Sequence, residues 1–142
     1  MKILCIFFLF IIFLDCNTSK PIEIEKLSGY WEIDFITQEQ EKFKPEGNPP
    51  LYDHYFLEHQ KGVLNKVKSS LDGVLYSSED VTPFEIKKMN EKYYIKFKSR
   101  WHEWSKIINH LDSQKLILEH NKRTYHYKRP ELPKSLHEEI KK

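Results

Sequence analysis

Glycine is scarce in this chain, with four in 142 residues, too few for the glycine-rich loops in which backbone N–H groups cradle a phosphate or a dinucleotide. No G-x-S-x-G elbow occurs, which excludes the strained nucleophile turn of the α/β-hydrolases. Cysteine is rarer still. Of the two, Cys5 lies inside an apolar leader, so a chain that has lost the leader keeps Cys16 alone and forms no internal disulfide, even where export permits one. No run of basic residues appears: 23 Lys and Arg face 21 Asp and Glu, alternating in sign as in Glu23-Ile24-Glu25-Lys26. Nucleic acid is therefore not an expected partner. The H-E-x-x-H, H-x-E-x-H and C-x-x-C frames are all absent. Among the seven histidines, His54 and His59 stand five apart and fall on opposite faces of a strand. Asp53-His54 and His102-Glu103 put carboxylates beside imidazoles, but strand neighbours also point to opposite sides. His120 and His126, on adjacent strands, are the pair a cross-strand metal site could use, and solvated surface histidines are the simpler reading. No catalysis, no cofactor and no resident metal are expected.

What the chain does have begins at its start. Met1-Lys2 precedes an apolar run over residues 3–14, followed by Asp15-Cys16-Asn17. The run is shorter than the roughly 20 apolar residues that span a bilayer, and its layout is that of an export signal. The exit resembles the lipid-acceptor site of bacterial lipoproteins, in which the signal is cut just before a cysteine that then carries acyl chains. That resemblance implies a signal peptide over 1–15, acylation of Cys16, a tether over 16–26, and a lipid-anchored protein of the cell envelope. Asn17 after the acceptor is compatible with sorting to the outer membrane. Asp15 departs from the pattern, where a small residue is usual. The alternatives are a signal cut elsewhere, leaving a soluble periplasmic or secreted protein, or an uncut anchor, with Cys16 as a free thiol.

From Leu27 onward the hydrophobic period is two. Trp31, Ile33 and Phe35 alternate with Glu32 and Asp34, and Tyr93, Ile95 and Phe97 alternate with Tyr94, Lys96 and Lys98. This pattern marks strands with one dry and one wet face. Turn signals at Gly47-Asn48-Pro49-Pro50, Gln60-Lys61-Gly62, Asp72-Gly73, Glu79-Asp80, Asn90-Glu91, Leu111-Asp112-Ser113 and Asn121-Lys122 separate them. The spacing predicts strands near 29–37, 51–59, 62–69, 73–77, 82–88, 92–98, 102–109, 115–120 and 123–129. An all-β, antiparallel up-and-down meander of about eight or nine strands removes its open edges by closing into a barrel. The long segment 38–50 is expected to cover a barrel mouth. At the C-terminus, Leu132, Leu136 and Ile140 predict a short amphipathic helix over 131–142 that lies on the sheet.

The segment Leu27-Ser28-Gly29-Tyr30-Trp31 resembles the G-x-W opening of a lipocalin, and 106–118 with 123–129 is similar to the last strands of lipocalin-like domains in bacterial, Bacteroidetes-type lipoproteins. The resemblance covers 27–130 and implies a lipocalin-like barrel. In that family the Trp closes one end of the barrel and a basic side chain from the last strand packs over it. Gly29, Trp31 and Arg129 are the implied closure residues, with Arg123 as the alternative to Arg129.

Aromatics are abundant, with nine Phe, eight Tyr and three Trp. If the barrel holds a guest, Phe35, Phe56, Tyr94, Trp101, Tyr125 and Tyr127 are the candidate lining residues, with Trp31 and Trp104 beside them. If the barrel is solid, the same side chains fill it, because an eight-stranded interior is just wide enough to be plugged. Trp101 and Trp104, three apart, fall on opposite faces of a regular strand, and an exposed Trp suits a partner interface. Two functions follow: a membrane-anchored lipoprotein that holds a small hydrophobic or lipid-like ligand, or a non-catalytic accessory subunit of an outer-membrane protein complex.

Overall fold

The computed structural model describes residues 21–132. Among them a 3-10 turn, Ile24–Leu27, is followed by nine strands: β1 Gly29–Gln38, β2 Glu41–Phe43, β3 Leu51–Glu58, β4 Lys61–Ser69, β5 Leu75–Met89, β6 Lys92–Lys98, β7 Glu103–Leu111, β8 Lys115–His120 and β9 Arg123–Lys128. From β3 to β9 each strand pairs antiparallel with the next. β1 joins the two ends of this meander, pairing with β3 over residues 29–32 and with β9 over 32–38. Eight strands thus close on themselves, and β2 is an extra edge strand against residues 36–38 of β1. The closed meander, entered through a 3-10 turn, is a lipocalin-like barrel.

Alternation builds it. On β6, Ile95 and Phe97 are buried while Lys92, Lys96 and Lys98 face water, so one face of the strand must turn inward. The hairpins are set by backbone sign. Asn90-Glu91 and Asn121-Lys122 each hold two successive residues at positive φ between the last pair of β5–β6 and the first pair of β8–β9. That is the tight two-residue turn whose twist matches the flanking strands, and Asn tolerates its first position best. The barrel consequently has two unlike ends. The 3-10 turn lies with the β3–β4, β5–β6 and β7–β8 connections at the closed end, and residues 39–50 lie with the β4–β5, β6–β7 and β8–β9 connections at the mouth.

Three local features differ from the sequence expectation. Strands expected at 73–77 and 82–88 are one strand, β5, in which residues 78–80 bulge where Asn65 pairs with Val81 but Val67 pairs with Ser77. A bulge lets a turn-like Glu79-Asp80 sit inside a continuous ladder. The loop at 38–50 contains β2, and Ile22 and Ile24, in the segment read as tether, pack against the core. The leader 1–15 and Cys16 lie outside the described residues. So does the expected helix at 131–142, save Glu131 and Leu132, which carry no regular structure.

Candidate functional site

The closed end is built from residues far apart in the chain. Gly29 has φ +108°, a conformation that strains any other residue, and a Cβ there would stand 2.8 Å from Arg129 Nη1 and push the guanidinium aside. Two residues on, Trp31 is fully buried and donates its indole N–H to the Leu27 carbonyl at 2.8 Å. Arg129 covers the indole, with Cζ 3.7 Å from the ring centroid. Its Nη2 donates to the carbonyls of Lys26 (2.6 Å) and Ser28 (3.0 Å) and its Nη1 to that of Tyr30 (3.1 Å). One side chain from the end of β9 thereby satisfies the backbone of the turn that plugs the barrel. Arg123 lies elsewhere, at the mouth, donating to the Gln38 side chain.

Above this floor the lower interior is solid. Leu27, Ile95, Leu116 and Leu118 are fully buried around Trp31, with Ile86 and Ile108 beside them. The mouth half differs. An aromatic ladder climbs one wall from Tyr55 to Phe84, Phe97 and Trp104, with centroid separations of 5.7, 5.8 and 5.1 Å, and ends on His102 at 4.6 Å. Trp104 and Tyr125 pack against this wall and the core while remaining partly accessible. The mouth loops and the strand ends beside them carry large exposed apolar side chains: Phe43, Leu71, Val74, Tyr76 and Trp101, the last 86% exposed.

Polar groups converge between floor and mouth. Asp53, 3% exposed, pairs with Lys66 through one carboxylate oxygen and accepts the Tyr127 hydroxyl at 3.1 Å through the other. Lys106 stands opposite Ile95 and between Trp104 and Ile108, so it takes the inward parity of β7. Its ammonium lies 4.9 Å from the Tyr125 ring centroid and 5.7 Å from that of Phe97. Burial pushes it below the usual lysine range, the nearby charge of Asp53 pulls it back, and Lys66 adds to the depression. Burial, reinforced by Asp53, holds the Tyr55 hydroxyl well above the ordinary tyrosine value, so it stays protonated. It has no hydrogen-bond partner among the described residues.

A cleft of about 890 Å³ is elsewhere, outside the closed end between the 3-10 turn and the β3–β4 hairpin, where Ile24, Phe56 and Val63 line it. It is shallow, and the polar groups described above do not reach it. A second cleft, about 570 Å³, lies at the mouth beside Pro49, Leu71 and Tyr76.

Of the six side chains read from the sequence as lining residues, the barrel brings two together inside, Tyr125 and Tyr127. Phe35 points outward, because a bulge between Ile33 and Phe35 shifts the β1–β9 register and leaves the ring stacked on His126 at 4.1 Å and under Lys42. Phe56 is 58% exposed on the outer face, Tyr94 falls opposite the inward Tyr93, Ile95 and Phe97, and Trp101 stands in the β6–β7 loop. These four do not form one surface with the interior pair. His120 follows the inward parity of Leu118 and donates to the Ser105 carbonyl at 2.7 Å, whereas His126 faces out, so the two do not converge. No group of three His, Cys, Asp or Glu side chains comes together among the described residues. Asp53, Lys66 and Lys106 escaped the sequence reading because charged residues within an alternating strand read as the wet face. The signal was nonetheless present, since Lys106 has the same parity as Trp104 and Ile108.

No family profile matches the chain, and no curated protein does. Among solved structures the chain is similar to a lipocalin-like protein from Bacteroides uniformis, at 12% identity over 74% of this chain and 99% of that one, with a TM-score of 0.47. It is similar to an uncharacterized protein from Bacteroides eggerthii at 11% identity, 72% and 98% coverage and a TM-score of 0.47. Insecticyanin from the tobacco hornworm Manduca sexta gives 12% identity, 85% and 71% coverage and a TM-score of 0.46.

Proposed function

We propose that this protein holds a small apolar or lipid-like molecule in the mouth half of its barrel. The observation that carries the reading is the contrast between the two halves of one interior: a floor packed solid around Trp31, and above it the partly accessible Trp104 and Tyr125 beneath a rim of exposed Leu71, Tyr76 and Trp101. Exposed apolar side chains grouped at one end of a soluble fold mark a place where something apolar docks. In this reading the chain is a lipoprotein, acylated on Cys16 and held at the outer membrane. The tether then enters beside the closed end, through the 3-10 turn, and leaves the mouth on the opposite side of the barrel.

Trp101 favours a second reading. An almost fully exposed indole on a short loop is a ready anchor for a protein partner, as in an accessory subunit of an outer-membrane complex. Native mass spectrometry of the full chain from a bacterial envelope, before and after organic extraction, separates the two. Acyl chains on Cys16 are covalent and survive extraction, so a mass lost on extraction is a guest of the barrel. A bare chain that also fails to take up apolar probes favours the accessory subunit.

A further inference from the structure

We propose that the barrel selects guests carrying a carboxylate head, received by the ammonium of Lys106 with the Tyr55 hydroxyl as second donor. This rests on the ligand-holding reading above and names the chemical class of ligand. Three observations carry it. Both oxygens of Asp53 are engaged, one by Lys66 and one by Tyr127, and Lys106 feels the charge of that carboxylate without forming an ion pair with it. Around Asp53 two cations therefore face one anion, and the surplus positive charge belongs to Lys106. That ammonium makes no salt bridge and no hydrogen bond among the described residues and rests only over the rings of Tyr125 and Phe97. Ring faces compensate an ammonium only in part once water is withdrawn, and an incoming carboxylate completes it with a charge-assisted hydrogen bond.

The Tyr55 hydroxyl is the independent mark. It is 0% exposed, sits near Asp53 in the same interior and has no hydrogen-bond partner among the described residues. A buried hydroxyl without a partner carries a desolvation cost that a ligand oxygen removes. A cation and a neutral O–H donor that both lie near Asp53, beside an aromatic wall, suit a molecule with an apolar body and one anionic end.

The test compares a matched pair of probes that differ only in charge, cis-parinaric acid and its methyl ester. Binding is read as energy transfer from tryptophan in the full chain reconstituted in nanodiscs, with empty discs subtracted. The acid should bind at least about tenfold tighter than the ester, since only the acid brings the charge that pairs with the ammonium. Lys106→Met, which keeps the length of the stem, should erase that preference by weakening the acid far more than the ester. Tyr55→Phe should weaken the acid severalfold. Equal binding of acid and ester by the wild type, or a preference that survives Lys106→Met, overturns the carboxylate assignment while the ligand-holding reading stands. Failure of both probes to bind overturns both.

Discussion

Replacing Arg129 by Ala removes the guanidinium 3.7 Å above Trp31 together with its hydrogen bonds to the carbonyls of Lys26, Ser28, Tyr30 and Ser113. The cation-π contact is worth about 1 kcal/mol at a half-buried position. The exposed carbonyls recover water when the side chain goes, so the hydrogen bonds together contribute about 2 kcal/mol rather than their gross strength. The expected loss is about 3 kcal/mol, or about 12 °C in Tm for a barrel of this size. Arg129→Lys keeps the charge but cannot fork to three carbonyls, and should recover less than half of the loss. Urea unfolding followed by tryptophan fluorescence measures both variants. A loss under about 1 kcal/mol for Ala, or full rescue by Lys, would refute the view that this one side chain locks the closed end.

The remaining predictions concern the same end, the leader and pH. Gly29→Ala should cost about 2 kcal/mol or more, because φ +108° is strained for any other residue and the new Cβ meets Arg129; thermal unfolding checks it, and a neutral substitution argues against the close approach. Cys16→Ala should move the protein from the membrane fraction to the soluble one, and continued membrane association sinks the lipoprotein reading. Asp112 accepts the backbone N–H groups of Gln114 and Lys115 and contacts His110, which together hold its carboxyl at about 2. A depressed carboxyl contributes stability above its unfolded value near 3.8 and loses it as pH falls toward about 2. Asp112→Asn should therefore flatten the acid side of the stability profile between about pH 4 and pH 2, and an unchanged slope contradicts the assignment.

Much of the barrel was written in alternation and turn chemistry. Tyr93, Ile95 and Phe97 declare the inward face of β6, and Asn90-Glu91 and Asn121-Lys122 declare two tight hairpins. What was not legible is where the ladder slips. Ile33 and Phe35 share a parity in the sequence, but the bulge between them sends Phe35 to the outside, and no local propensity announces it. The bulge over 78–80 likewise keeps as one strand what turn residues divide into two. At the candidate site the aromatic rings drew attention and the charges did not. Lys106 and Asp53 are at inward positions, but a charge is expected inside only where partners compensate it, and those partners, Lys66, Tyr127 and the ring of Tyr125, come from other strands. Such compensation depends on the register between strands, which composition does not encode.

The most direct test of the central claim, that a guest enters the mouth and lies on the interior wall, uses a neutral apolar nitroxide probe as a quencher of tryptophan fluorescence. Trp104 faces the interior and Trp101 the solvent, so the two indoles report on different places. The account predicts saturable quenching that persists in Trp101→Phe and disappears in Trp104→Phe. Quenching that instead follows Trp101, or that rises without saturating, would contradict it and leave the mouth as an outer surface rather than an entrance.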